Sequence, residues 1–205
     1  MRNTRSLLIG VLLASAGNAI AASSVDLTVK GSITPSACTP LLSSGGVADF
    51  GKISVKDLRP DNPTYLPIQP MQMTVTCEAA TPIAIAAQDN REGTESDLDY
   101  YKFGIGLTNA SEKLGYATIS LSAMVDEQRV RVIGSQDGGQ SWIHDSSLMD
   151  DGLTSFAVLG TLTPIPVTRL VAALQVRAVI APADNLTFNQ EEPIDGSVTL
   201  TVRYL

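Results

Sequence analysis

Between Ser23 and Ile33, in SSVDLTVKGSI, Val25, Leu27, Val29 and Ile33 recur at a spacing of two, with Gly31 filling the one gap. Asp26, Thr28, Lys30 and Ser32 take the intervening places, so the stretch predicts a strand with a single apolar face. The last ten residues repeat the pattern, with Val198, Leu200, Val202 and Tyr204 on one side and Thr199, Thr201 and Arg203 on the other. Between these ends the same period predicts Val47 to Ile53 as a short strand and Met71 to Cys77 as a clean one, with Pro82 to Ala87 following. Tyr101 to Leu107 and Leu114 to Val125 form a hairpin across the polar turn Thr108 to Lys113. Val130 to Ile133 and Trp142-Ile143 flank GSQDGGQS, whose Asp137-Gly138 pair suits the positive φ angles of a tight turn. Thr154 to Leu159 is a further strand.

Two stretches need arbitration. Lys56 to Pro70 carries Pro60, Pro63, Pro67 and Pro70, which cannot donate to a ladder, and reads as a loop. Pro164 to Pro182 matches both a helix face and a strand face. The polar residues Arg169, Gln175 and Arg177 fall on alternate positions, which only the period of two explains, so a strand is expected. About ten short strands with no convincing helix predict an all-β sandwich.

Composition then narrows the setting. Arg2 and Arg5 precede the apolar run Leu7 to Ala14, and Ala19-Ile20-Ala21 supplies a small-x-small cleavage site, so residues 1–21 read as a secretory signal peptide. The run is too short to span a bilayer, and stable membrane insertion is not expected. The formal net charge of −7 becomes more negative once the basic leader is removed, which disfavours nucleic acid and anionic lipid as partners. Cys38 and Cys77 are the two cysteines of a chain exported to an oxidising compartment, and a bond between them is expected.

Candidate chemistry is sparse. The single histidine, His144, stands beside Asp145, with Asp150 and Asp151 nearby, but no nucleophile or second ligand accompanies it, and a solvated surface is the expectation. Gly104-Ile105-Gly106 lacks the third glycine and the helix of a phosphate cradle, and reads as strand packing or a bend. Glu95, Asp97 and Asp99 form a charged loop with no partner histidine or cysteine. Trp142 is expected in the core. The sequence offers no catalytic residue, metal site or cofactor site.

The order of these features carries a family likeness. A signal peptide, an alternating leader with a glycine, a first cysteine, Asp49-Phe50-Gly51, a second cysteine closing MTVTC, and a final strand with a penultimate tyrosine resemble the subunits of chaperone-usher pili. FGIGL (Phe103 to Leu107), LGYATISL (Leu114 to Leu121) and DGSVTLTVRYL (Asp195 to Leu205) look more specifically like fimbrial-type proteins known by their DUF1120 domain. The resemblance implies an immunoglobulin-like, pilin-type sandwich over 35–205 that lacks its final strand, preceded by a donor extension over 22–34. In that family a periplasmic chaperone fills the groove, and at the outer-membrane usher the extension of another pilin subunit replaces it. Carried over, Val25, Leu27, Val29, Gly31 and Ile33 would be the donor strand, and Cys38 and Cys77 the pilin disulfide. Val198, Leu200, Val202 and Tyr204 would be the strand that borders the groove and pairs with the chaperone. The product would pass through the periplasm to a cell-surface fimbrium and contribute to adhesion. Its length and the extra hairpins between Gln88 and Asp151 leave shaft and minor positions open. The alternative is a self-contained secreted binding module for carbohydrate or protein.

Overall fold

The computed structural model describes Thr28 and residues 37–205. The expected signal peptide, 1–21, and the leader residues Val25, Leu27, Val29, Gly31 and Ile33 lie outside the described residues.

The fold is built on one long strand. Met71, Met73, Val75 and Cys77 keep the same parity as Thr81, Ile83, Ile85, Ala87 and Asp89, so the two predicted segments join into a continuous strand, β3 (Gln69–Asp89). Alternation lapses at the buried Ala84 and at Glu78 to Ala80, which are exposed and where the strand passes from one sheet to the other. Its first half pairs with β1 (Cys38–Leu42) and β10 (Pro166–Ile180). Its second half pairs with β11 (Val198–Tyr204) and β9 (Leu153–Ala157). The ladder continues from β10 to β5 (Gly115–Val125), which carries β4 (Phe103–Gly104) and β6 (Gln128–Arg129) at its edge. On the other side it runs from β9 to β7 (Arg131–Ser135) and β8 (Ile143–His144). β2 (Thr64–Tyr65) caps one end of β10. Among the described residues eleven strands, antiparallel throughout their ladders, thus curl into an all-β, sandwich-like fold.

Both halves of β3 feed the main core. Met73, Val75, Ile83 and Ile85 pack with Ile119 and Leu121 of β5, Phe156 of β9, and Leu170 and Leu174 of β10, all nearly or fully buried. The ambiguous Pro164 to Pro182 stretch is a single strand: Leu170, Ala172, Leu174 and Ala178 are buried, while Ala173 and Gln175 face out.

Several expectations are corrected. Val47 to Ile53 belongs to no ladder among the described residues, and Gly51, at a φ of +64°, interrupts its extended run. Tyr101 to Leu107 narrows to the two residues of β4, because Gly106 takes a φ of +92° and turns the chain away. Gly104 does the packing expected of it, since a Cβ there would stand 2.3 Å from the Arg91 carbonyl oxygen. In the β7–β8 hairpin the positive φ angles fall on Gly138 and Gly139. Asp137 instead accepts hydrogen bonds from Ser141 Oγ at 2.5 Å, from Ser141 N at 2.9 Å and from Ser135 Oγ at 2.7 Å, which hold its carboxyl well below the usual range. Trp142 is half-buried over Gly139, not in the core.

Glu95 departs most from the sequence reading. It is buried, and its Oε2 has no partner among the described residues. It belongs to a polar layer where the end of β3 meets the loops on either side of β4. Asp89 donates its N–H to Asp150 Oδ1 at 2.7 Å, and its carboxylate accepts from Arg91 N at 2.7 Å and Gly104 N at 2.6 Å. Tyr101 donates its hydroxyl to Asp145, whose other oxygen accepts from Ser147 N at 2.9 Å. Desolvation by burial raises the Asp89 carboxyl above its ordinary value, against the pull of its two backbone donors; the nearby Asp150 and Glu95 carboxylates add to the rise.

β1 is attached differently from the other strands. Thr39, Pro40 and Leu41 are exposed, so it buries little, and Pro40 lacks a backbone N–H. The Cys38–Cys77 disulfide joins residues that are direct cross-strand partners. It closes a loop with a sequence separation of 39 residues. Replacing both cysteines with serine is expected to lower the unfolding free energy by about 3 to 4 kcal/mol in urea titrations, and a loss below about 1 kcal/mol would show that β1 holds by packing alone. Asp89 gives a pH signature. Its raised folded pKa means its contribution is full below the unfolded value and is lost as pH rises through the folded one. The stability of Asp89→Asn relative to the parent should therefore climb as pH rises from about 4 towards neutral. A difference that stays flat with pH would contradict the assignment.

Candidate functional site: an open apolar groove between two unpaired edges

Among the described residues the sandwich is open along one side. A cavity of about 780 Å³ enters there, between the inner faces of the two sheets. Its floor is β10, where Leu174, Val176, Ala178 and Ile180 present every second side chain, joined by Ala117 and Ile119 of β5. The period that makes β10 a strand thus also makes the floor apolar over roughly 20 Å, taking six steps of about 3.3 Å. One wall is β11, through Val198 and Leu200. The facing material is the segment 47–53 with Leu58, which sets Phe50 and Ile53 against a second apolar cluster of Ile105, Leu114, Ala178 and Ile180.

Two stretches of backbone border this cavity without a ladder partner. Among the described residues β11 pairs with β3 alone, so its outer edge is free. Residues 48–53 make no backbone-to-backbone hydrogen bond among the described residues; Gly51 N donates instead to Asp49 Oδ1 at 2.8 Å. This explains the correction above. VADFGKI begins with a strand's pattern, with Ala48 and Phe50 turned inward, but Gly51 at a φ of +64° breaks the run and no described residue lies beside it to form a ladder. Extended backbone and apolar surface left open together have the requirements of one more strand.

Both ends of the opening are tied. At one end the Tyr204 hydroxyl accepts from Cys38 N at 3.0 Å, joining the first strand to the last. At the other the connection 186–197 lies over the second cluster through Leu186, Phe188 and Ile194. Glu112 fixes its start, accepting from Thr187 N at 2.6 Å and Thr187 Oγ1 at 2.8 Å, and these bonds lower the Glu112 carboxyl pKa. Glu192 accepts from Asn109 N at 2.9 Å, and Arg91 pairs with Asp195 at 2.8 Å. Lys52 and Glu191 meet at 3.0 Å, both strongly exposed.

The residues expected on the last strand divide by this geometry. Val198 and Leu200 line the cavity, Val202 packs half-buried on the main core, and Tyr204 is exposed with its hydroxyl engaged. Cys38 and Cys77 are bonded beneath β1. Sequence reasoning missed Phe188 and Ile194. They sit singly in LTFNQEEPID, where no period marks them, and lone apolar residues among polar ones were the only signal. His144 is exposed on β8, apart from the cavity lining, and the carboxylate of Asp145 is taken by Tyr101 and Ser147. No helix among the described residues is long and apolar enough to cross a membrane.

Known proteins are similar to this chain in sequence. A family described as "Protein of unknown function (DUF1120)" matches residues 27–124. The uncharacterized protein YhcF of Escherichia coli (strain K12) is 31% identical over 243 residues, covering all of both chains. Protein GltF of the same organism is 27% identical over 253 residues, spanning 98% of this chain and 97% of that protein. End-to-end likeness to YhcF at that identity, with the family match beneath it, makes the chain a member of the DUF1120 family.

Proposed function

We propose that this protein is a structural subunit of a chaperone-usher fimbria, an immunoglobulin-like sandwich one strand short that polymerises by donor-strand exchange. The observation that carries the reading is the groove: an apolar slot bordered by two backbone edges, those of β11 and residues 48–53, neither paired on that side among the described residues. An added strand would satisfy both edges through main-chain hydrogen bonds and place alternate side chains over the β10 floor, which is β-augmentation. The leader has the matching form. Val25, Leu27, Val29 and Ile33 span eight steps, roughly 26 Å when extended, against a floor of roughly 20 Å. Burying those four side chains would contribute on the order of 6 to 12 kcal/mol gross, before the cost of ordering the segment. Pairing of a periplasmic chaperone with β11, hand-over to another pilin subunit at an outer-membrane usher and display on the cell surface follow from the same reading.

A binding role suits the residues better than a catalytic one. The cavity is lined mainly by aliphatic and aromatic side chains, and its charged residues stand at the mouth, where Lys52 and Glu191 neutralise each other. We assign no catalytic residue, metal or cofactor.

The reading is tested by pairing cysteines between copies. Leu27→Cys in one copy and Val176→Cys in another, co-expressed with a candidate periplasmic chaperone, should give a disulfide-linked dimer on release from the chaperone. Removing residues 23–33 should leave a chain that still accepts a donor but cannot donate one, ending growth at that copy. Full-length polymers formed by the truncated chain would overturn the proposal. So would mature chain that stays monomeric at high concentration, unfolds reversibly and ignores the 23–33 peptide; that behaviour would favour a self-contained binding module.

A further inference from the structure

The mouth of the groove carries one exposed ion pair, and its two members come from different walls. Lys52 belongs to the unpaired segment 47–53, and Glu191 to the connection 186–197 that leads into β11. Their side chains meet at 3.0 Å across the cavity opening. The other polar ties of that connection do not cross the opening in this way: Glu112 to Thr187, Asn109 to Glu192 and Arg91 to Asp195 anchor it to the loops around β4 and β5. A strand entering between segment 47–53 and β11 would pass between the two residues that Lys52 and Glu191 join.

Separating that pair leaves a cation on one lip and an anion on the other. The leader carries their complements. On the polar side of SSVDLTVKGSI, Asp26 and Lys30 are the only charged residues, with Thr28 midway between them. In an extended strand each lies two residues from Thr28, roughly 7 Å along the axis. Long side chains such as Lys52 and Glu191 can reach that far, so Asp26 can take up Lys52 while Lys30 takes up Glu191. One ion pair is lost and two are gained, at an exposed site where each is weak alone and all are sensitive to salt.

Resting on the donor-strand reading above, we infer that the Lys52–Glu191 pair is a latch across the groove, opened by charge exchange with Asp26 and Lys30 of the leader of a second copy of this chain. The latch makes the groove selective for its own kind. An apolar strand without an acid and a base four residues apart would break the pair with no replacement, and one with the charges reversed would meet like charge on both lips.

The test uses the full mature chain and synthetic fluorescent peptides spanning Ser23 to Ile33, with binding followed by anisotropy. One peptide has the natural sequence; a second exchanges the charges, Asp26→Lys with Lys30→Asp; a third carries Leu27→Glu and Val29→Glu. The parent chain should bind the natural peptide on the order of tenfold faster than the exchanged one. A chain carrying Lys52→Glu with Glu191→Lys keeps an ion pair of opposite sense and should invert that preference. Raising salt from about 0.1 M to about 1 M should erase the preference in the parent, a result that does not depend on the variant's folding. If natural and exchanged peptides bind the parent equally at low salt while the Leu27→Glu, Val29→Glu peptide does not bind, the latch is wrong and the groove reading stands. If none of the peptides binds, or all three bind alike, both fall.

Discussion

The structure turns on the way β3 divides its backbone hydrogen bonds. Twenty-one residues long, it serves as an interior strand in two sheets, flanked by β1 and β10 along its first half and by β11 and β9 along its second. β1 and β11 therefore lie in succession along one edge of the same strand. Cys38 and Tyr204 meet where they abut, and a hydrogen bond from the Cys38 N–H to the tyrosine hydroxyl joins them. Beyond them no described strand continues either sheet. An edge of this kind normally ends in charge, proline or a cover. β1 has Pro40, but β11 alternates Val198, Leu200 and Val202 with threonine and arginine and keeps its apolar face half-buried over the groove. The inner side of β11 is built as an interior strand although its outer edge has no partner among the described residues.

That combination gives a physical meaning to the groove's composition. If the opening were a ligand pocket on a finished sandwich, a few convergent polar groups would be expected deep inside it. The charged and amide side chains of the lining, Asp49, Lys52, Gln190, Glu191 and Glu192, are exposed or half-buried, while Val176, Ala178, Ile180 and Ile105 form the interior. A strand needs no deep polar groups, because its polarity lies in its backbone and is met by the bordering edges.

How much of this was legible in the sequence follows from what period-two patterning can encode. It reports which side of a strand is apolar, and so it located β5, β10 and β11 and resolved Pro164 to Pro182 against a helix. It does not report whether a neighbour exists. Val47 to Ile53 has a strand's alternation in sequence, yet Gly51 takes a φ of +64° and the segment forms no ladder among the described residues. Nor does the pattern report buried polar layers: Glu95 lies in a run of charges that looks solvated, and burial comes from Gly115, more distant in the chain, whose carbonyl receives the Ser96 N–H. Phe188 and Ile194 were invisible for a related reason, since their partners, Ile105 and Leu114, lie some eighty residues earlier, by numbering. The disulfide was accessible from the start, as an exported chain with two cysteines leaves little choice.

The connection 186–197 shows how such a chain can leave a side open without losing its shape. It covers the second cluster through Phe188 and Ile194, so the floor near Ile105 and Ile180 is partly sheltered even where no strand runs. Its grip is mostly polar: the Glu112 carboxylate on Thr187, Glu192 on the Asn109 N–H, and Asp195 on Arg91, at separations from 2.6 to 2.9 Å. Hydrogen bonds and exposed ion pairs of this type contribute modestly and can re-form with water, whereas the strands beneath are fixed by burial that water cannot replace. Stability is thereby divided. The sheets hold the frame, and the segments that border the groove are kept in place by contacts that can be exchanged at little cost, which is what a site accepting a backbone requires.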